Sequence, residues 1–128
     1  MICNVVETDR APAAIGPYSQ GISTDSWLFV SGQLGLQPET GTLVDHAFSA
    51  QVRQALENLK QIVLAGGSDL NNVVAVDVFL TDMENFEEFN GIYNEYFAGH
   101  RPARAVVEVS ALPRKASVEI KCIARLVK

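Results

Sequence analysis

The sequence predicts one α+β domain spanning residues 1–128, with two helices packed on one face of a sheet. Three observations lead to this fold class. Two segments repeat apolar residues at three- and four-residue steps, which is typical of amphipathic helices. Other short segments are alternating or continuously apolar, as strands are. A chain of 128 residues can bury one hydrophobic core and is too short for two domains of ordinary size.

The N-terminal third contains a loop, a strand and a turn. Residues 11–17, with the sequence APAAIGP, are too rich in proline and glycine for a helix or a central strand, so they predict an ordered loop that leads to Tyr18. Residues 27–33 (WLFVSGQ) predict a short strand, and residues 37–41 (QPETG) predict a turn.

The first helix and the strand after it have the clearest patterns. Apolar residues from Phe48 to Val63 form one stripe, Asp45 is placed to cap the helix, and two glycines at 66–67 supply a left-handed stop. Residues 73–80 (VVAVDVFL) are apolar on both faces apart from Asp77, which predicts a strand that is buried on both sides.

The C-terminal third predicts a helix and two strands. Aromatic and aliphatic residues from Phe86 to Tyr96 line one helix face, and the helix stops at Gly99. We expect residues 103–109 and 117–126 to form an antiparallel hairpin in which paired residue numbers sum to about 223, a register that a one-residue slip would break. Two helices cover only one face of a sheet, so the other apolar face predicts self-association.

Charge is distributed unevenly. The net charge is −5, which argues against broad nucleic-acid binding through phosphate contacts. Residues 1–100 carry three basic and thirteen acidic side chains (−10), whereas residues 101–128 carry seven basic and two acidic ones (+5). Two interpretations fit: a local positive field for a small anion, or a basic end that neutralises the acidic segment from Asp82 to Glu95.

The sequence predicts a cytoplasmic protein. No apolar run approaches the ~20 residues of a membrane span, and the N-terminus lacks the pattern of a secretory signal. The two cysteines, Cys3 and Cys122, have no metal-type spacing. We interpret them as two buried thiols in a reducing compartment, with a disulfide as the alternative.

One pair of residues in the expected hairpin has catalytic potential. The register places Arg104 directly across from Glu119. One interpretation is a plain cross-strand ion pair, which contributes well under ~1 kcal/mol. The other is that Arg104 grips a substrate carboxylate while Glu119, ionised and weakly basic beside an arginine, orients a water. That arrangement suits hydrolysis of an electrophilic C=N bond.

Other candidate chemistry is weaker. His46 and His100 are lone histidines near helix ends, where solvated or capping roles are expected. The sequence has no nucleophile elbow, Walker loop, dinucleotide fingerprint or zinc spacing, so no metal site is predicted.

The sequence resembles the reactive intermediate/imine deaminase family (RidA or YjgF), also labelled L-PSP endoribonuclease. The resemblance runs through nearly the whole chain. The stretches that carry it are APAAIGPYSQ (11–20), VSGQ (30–33), QVRQALENL (51–59), RPARAVVEV (101–109), LP (112–113) and VEI (118–120).

The resemblance implies a fold and a reaction. The fold is the chorismate-mutase-like α+β fold with ferredoxin-like βαβ elements, assembled as a homotrimer with an inner barrel and clefts between subunits. The reaction is hydrolysis of 2-imino or 2-enamino acids, such as 2-aminoacrylate or 2-iminobutanoate, to 2-oxo acids and ammonia without a cofactor. The resemblance implies that Arg104 binds the substrate carboxylate and that Glu119 directs the attacking water. It also implies substrate-binding positions along the cleft: Tyr18 as a wall, Ser31, Gly32 and Asn90 as lining, and the backbone around Val106.

Two departures from the family pattern bear on substrate preference. Val106 stands where many members have cysteine, and the connection from Tyr96 to Arg104 is shorter than in some members. Two alternative functions are an endoribonuclease or translation inhibitor, and a non-catalytic module that binds a small carboxylate or a protein.

Overall fold

The described part of the chain folds into a six-stranded mixed sheet with two helices on one face, which confirms the predicted fold class. The computed structural model describes residues 2–127. The strands are β1 (Cys3–Val6), β2 (Gly21–Thr24), β3 (Trp27–Gln33), β4 (Val73–Leu80), β5 (Ala103–Glu108) and β6 (Val118–Arg125). The helices are α1 (Phe48–Ala65) and α2 (Phe86–Phe97), and three short 3-10 turns cover Leu70–Asn72, Met83–Asn85 and Pro113–Lys115.

The strand order makes the predicted C-terminal hairpin wrong. The order across the sheet is β1-β2-β3-β6-β4-β5, and only β4 and β5 are parallel. β6 lies between β3 and β4, so β5 and β6 are not neighbours. The cause is the helix α2 between β4 and β5: a strand–helix–strand crossover returns the chain parallel to its first strand.

The hydrophobic core lies between the helices and one sheet face. Val76, Val78 and Leu80 of β4 point into this core, while Asp77 and Phe79 point to the other face and are partly exposed. In a single chain β4 is therefore buried on one side only, and the prediction that both of its sides are buried is wrong. The open face carries exposed apolar side chains on several strands: Val5, Trp27, Phe29 and Val107.

The helix ends differ slightly from the expected caps. Ala47 occupies the N-cap of α1 without a side-chain hydrogen bond, and Asp45 instead accepts a hydrogen bond from the Ala47 N–H at 2.9 Å. The left-handed stop is Gly67 alone, with φ of +89°, because Gly66 keeps a right-handed conformation. After α2, Ala98 and Gly99 both have positive φ, as expected for the predicted stop.

Both cysteines are free thiols. Burial raises the pKa of Cys122 to about 12, so this thiol stays protonated in the core. Cys3 is exposed, so the prediction of two buried thiols is correct for Cys122 and wrong for Cys3. Neither α1 nor α2, nor any shorter helical turn within residues 2–127, is long and apolar enough to cross a membrane.

Candidate active site

A β-bulge in β3 brings Gly32 against Glu119. The β3–β6 register shifts between Val30 and Gln33, so that β3 has two residues, Ser31 and Gly32, where β6 has one. A Cβ on Gly32 would overlap Oε2 of Glu119 and lie 2.8 Å from its Cδ. Bulges of this kind occur beside active sites, where they redirect side chains. Because Gly32 has no Cβ, the Glu119 carboxylate can occupy this space.

Glu119 has a more basic carboxylate than the sequence predicted. It lies on the open face of the sheet opposite Phe79, half-buried, and accepts no hydrogen bond from another residue in the range 2–127. Burial raises its pKa above the ordinary value, and the nearby Lys121 ammonium offsets part of that rise. Within one chain Arg104 does not lie beside Glu119, so the expected lowering of the Glu119 pKa by that arginine is absent there.

Ser31 links the bulge to the segment that carries Tyr18. The Ser31 hydroxyl donates to the Ser19 carbonyl at 2.6 Å, and the Ser31 N–H donates to the Gln20 carbonyl at 2.9 Å. Tyr18 is 54% exposed and lines a pocket of about 540 Å³ with Ser19, Gln20 and Glu7. These two hydrogen bonds thus hold residues 19 and 20 against β3, next to the exposed ring of Tyr18.

Three buried amide side chains, which sequence reasoning missed, fix the loops around this cluster. Gln20 bonds Thr8 and the carbonyls of residues 11 and 12, which shapes the loop before Tyr18. Gln51 accepts from the Ser117 N–H at 2.8 Å, and Asn58 donates to the carbonyls of residues 34 and 36. All three lie in the stretches that resemble the family, and that resemblance was the signal available from the sequence.

Arg104 lies on β5 at the sheet edge, on the helix-covered face. Its guanidinium carbon lies 4.8 Å from the ring centroid of Tyr93, 5.8 Å from that of Phe86 and 6.0 Å from that of Phe89. Arg104 is exposed and forms no ion pair with any residue in the range 2–127. Its charge and its N–H donors are available to a ligand.

A pocket of about 310 Å³ lies beside Arg104, and no carboxylate of residues 2–127 lines it. Asn90 and Tyr93 belong to its lining, and the Asn90 Oδ1 and the Tyr93 hydroxyl are buried without a hydrogen-bond partner in the described chain. His100 and Arg101 also line it. Val106 lies two residues beyond Arg104 on the same strand face, half-buried against the core. This pocket is polar, positively charged and suited to an anion.

Arg104 and Glu119 are far apart in one chain. Arg104 is level with Val76 of β4, whereas Glu119 is opposite Phe79, three residues along the same strand. Residues an odd number apart face opposite sides of a sheet, so the two side chains lie on opposite faces. Two strand spacings across and three residues along give a separation of about 14 Å. Both versions of the expected face-to-face pair, the ion pair and the shared site, are therefore wrong within a single chain.

The candidate residues form two groups. Ser31, Gly32 and Glu119 lie together, with Tyr18 on the adjoining segment. Arg104 and Asn90 line one pocket, with Val106 nearby on β5. We call the first the glutamate half-site and the second the arginine half-site.

The histidines have structural positions. His46 is exposed, and the His100 ring Nε2 lies 2.7 Å from the Val73 carbonyl oxygen, joining the end of α2 to the start of β4. Among residues 2–127 no group of three or more His, Cys, Asp or Glu side chains is arranged to hold a metal ion.

Comparisons with known proteins place this geometry in a family. The model of the family described as "Endoribonuclease L-PSP" matches residues 8–126. The chain belongs to the endoribonuclease L-PSP family. The family resemblance of the sequence is thereby confirmed.

Similar proteins include an enzyme and several solved structures. A mouse protein named 2-iminobutanoate/2-iminopropanoate deaminase is 49% identical over 97% of this chain and 92% of its own length. A putative endoribonuclease from Thermotoga maritima is 48% identical, covers 98% of each chain and superimposes with a TM-score of 0.94. The structure of Escherichia coli TdcF with bound serine is 38% identical over 97% of this chain and 99% of that one, with a TM-score of 0.92.

Proposed function

We propose that this protein hydrolyses reactive 2-imino and 2-enamino acids to 2-oxo acids and ammonia. The observation that carries the proposal is the Arg104 guanidinium, which pairs with no carboxylate among the described residues and lies at a pocket that none of those carboxylates lines. The mouse relative's name denotes the same reaction, and the bound serine in the TdcF structure is a small amino acid of the corresponding size.

Arg104 binds the substrate carboxylate in this proposal. Guanidinium N–H groups form a planar fork that matches the two oxygens of a carboxylate, and such charge-assisted pairs are about twice as strong as neutral hydrogen bonds. The buried Asn90 Oδ1 in the same pocket accepts a hydrogen bond from the substrate's imine or enamine nitrogen. The Val106 backbone borders the reacting carbon, so replacing a family cysteine by valine leaves the reaction intact.

Glu119 acts as the general base. Its carboxylate takes a proton from water as the water oxygen bonds to the substrate C2 and the C=N π electrons move to nitrogen. Glu119 then returns that proton to the nitrogen, which gives the carbinolamine. The hydroxyl proton of the carbinolamine moves to the amine nitrogen, ammonia leaves, and C2 becomes the carbonyl of the 2-oxo acid. A 2-enamino acid is first protonated at C3 to give the imine. Burial, which raises the pKa of Glu119, makes it a better base for this step.

The working site is formed between two copies of the chain. A small 2-imino acid cannot reach from Arg104 to Glu119 when these lie on opposite faces of one sheet. The arginine half-site of one copy and the glutamate half-site of another supply both groups, with Tyr18 as the wall. We propose that the copies form the homotrimer that the resemblance implies. In this trimer the open sheet faces, with their exposed Phe29 and Val107, point toward the centre.

Two other functions predict different results. A ribonuclease would bind RNA in a strongly salt-dependent manner, which the net charge of −5 does not favour. A non-catalytic carboxylate-binding module would be stabilised by ligand without releasing ammonia.

The decisive experiment couples the protein to a serine or threonine dehydratase, which generates the imine, with semicarbazide present to trap it. We expect faster 2-oxo-acid release and less trapped imine with the protein than without it. Arg104→Ala should remove this effect, and Lys115→Ala, a cation outside both half-sites, should retain it. An unchanged rate with several amino-acid substrates would overturn the deaminase proposal.

The cytoplasmic location stays a prediction, which cell fractionation tests.

A further inference from the structure

The aromatic stripe of α2 has a role beyond filling the core. Phe86, Phe89 and Tyr93 recur at steps of three and four residues, so they share one helix face. All three rings lie within 6.0 Å of the Arg104 guanidinium carbon, measured to the ring centroids. This is the range in which an arginine is attracted to an aromatic face.

The rings are themselves held rigidly. Tyr93 is only 6% exposed and stacks on Phe97, with centroids 4.5 Å apart, while the Phe89 ring lies tilted to it with its centroid 5.6 Å away. Burial raises the pKa of Tyr93 to about 12, despite the opposing effect of Arg104, so the ring remains a neutral phenol at ordinary pH. Arg104 therefore rests on a fixed surface.

This surface holds Arg104 without neutralising it. An acidic partner would occupy the N–H donors of the guanidinium and compete with an incoming carboxylate. Aromatic faces attract the cation and leave the donors at its edge free. No described carboxylate pairs with Arg104, although four glutamates lie on or next to α2.

We infer that Phe86, Phe89 and Tyr93 form an aromatic platform that orders the Arg104 side chain for carboxylate binding, which makes Tyr93 the main positioning residue of the arginine half-site. The inference rests on the proposed function for the identity of the carboxylate. An ordered arginine loses less rotamer freedom when it binds ligand, so the platform acts on affinity rather than on the chemical step.

The test compares Tyr93→Leu, Phe86→Leu and Tyr93→Phe in the full-length protein. Tyr96→Leu is the matched control, because Tyr96 is an aromatic residue of the same helix that bonds to the Arg53 carbonyl instead of facing Arg104. We expect both platform leucine variants to bind the stable product 2-oxobutanoate about three- to tenfold more weakly by calorimetry. In the coupled assay the KM should rise by a similar factor with kcat little changed. Tyr93→Phe keeps the ring face, so its affinity for 2-oxobutanoate should lie closer to that of the wild type than the affinity of Tyr93→Leu does, whereas Tyr96→Leu should match the wild type.

A spectroscopic measurement separates this inference from the proposed function. In the wild type the Arg104 Nε–H resonance should be shifted by the ring currents of the platform, and Tyr93→Leu should remove most of that shift. Should Tyr93→Leu not fold, the half-buried Phe86→Leu carries the same test. A shifted resonance in a wild type that neither binds 2-oxobutanoate nor deaminates would support the platform and overturn the deaminase. Unchanged affinity, KM and resonance in both leucine variants would overturn the platform.

Discussion

Within one chain, two opposing influences act on the pKa of Glu119, the group that acts as the base in the proposed reaction. Burial raises its pKa and the Lys121 ammonium lowers it, with burial the larger effect. A base works only when ionised, so a raised pKa moves the loss of activity on acidification to a higher pH. We expect kcat/KM to fall on the acid side as Glu119 takes up a proton, at a pH that burial raises and that Lys121 and the Arg104 of the neighbouring copy lower, measured with dehydratase in excess at each pH.

Variants of two residues check this assignment. Glu119→Gln should lower kcat by about 10²- to 10⁴-fold and abolish the fall of kcat/KM at low pH, the acid limb of the pH profile. Circular dichroism should show that the variant keeps its fold. Lys121→Met should move the limb to higher pH because it removes the cation that favours the ionised form. An acid limb that persists unchanged in Glu119→Gln would assign the titration to another group.

Gly32 is expected to be indispensable for steric reasons. Gly32→Ala places a methyl group where the Glu119 carboxylate lies, so the carboxylate must move. A displacement of about 1 Å at a reacting group costs about 100-fold in rate, and we expect a loss of that size in the coupled assay. Gly91→Ala is the control, since its Cβ would meet nothing within 4 Å and alanine favours the helix by about 1 kcal/mol. Full activity in Gly32→Ala would refute the steric role.

At the residue scale, the sequence identified charged candidates better than it identified the residues that place them. Arg104 and Glu119 were visible as unusual charges on strands. Gln51 and Asn58 are almost fully buried, yet their types are usually exposed and their partners are backbone groups of distant loops. Those hydrogen bonds depend on tertiary structure, so no local pattern predicts them.

At the scale of elements, boundaries followed from periodicity and pairing did not. The bounds of β3 and β4 were predicted to the residue, because both are short apolar runs between turn residues. The neighbours of β5 and β6 depend instead on the crossover through α2 and on the space between β3 and β4. Two strands adjacent in sequence and joined by a short connection looked like a hairpin, and that local assumption produced the error.

The connection between β5 and β6 stores backbone strain. Arg114 and Lys115 both adopt left-handed conformations, with φ of 62° and 57°, which cost non-glycine residues roughly 1–2 kcal/mol each. Lys115→Gly should therefore raise the free energy of unfolding by about 0.5–1 kcal/mol, after allowing for glycine's greater freedom in the unfolded chain. Denaturant titration measures this. Lys115→Ala keeps the Cβ and should give no gain; an equal gain in both variants would show that the lysine side chain, not the backbone, is responsible.

At the scale of the whole molecule, the fold keeps the two half-sites apart. The sheet separates them because Arg104 lies on its helix-covered face and Glu119 on its open face. The open face also exposes Phe29 and Val107, apolar side chains that a second copy would cover. Sequence reasoning anticipated this uncovered face by counting helices, but it placed both charged residues on one side.

Mixing two inactive variants tests whether the site joins two copies. Arg104→Ala chains keep the glutamate half-site, and Glu119→Gln chains keep the arginine half-site. If each site takes one half from each of two neighbours, every trimer that contains both variants has about one third of its sites intact, because only one of its three interfaces has the right variant on each side. The two variants, carrying different affinity tags, are co-refolded, purified through both tags and assayed with the dehydratase. Recovery of a sizeable fraction of wild-type activity is the expected result, and mixtures no more active than either variant alone would place the whole site within one chain.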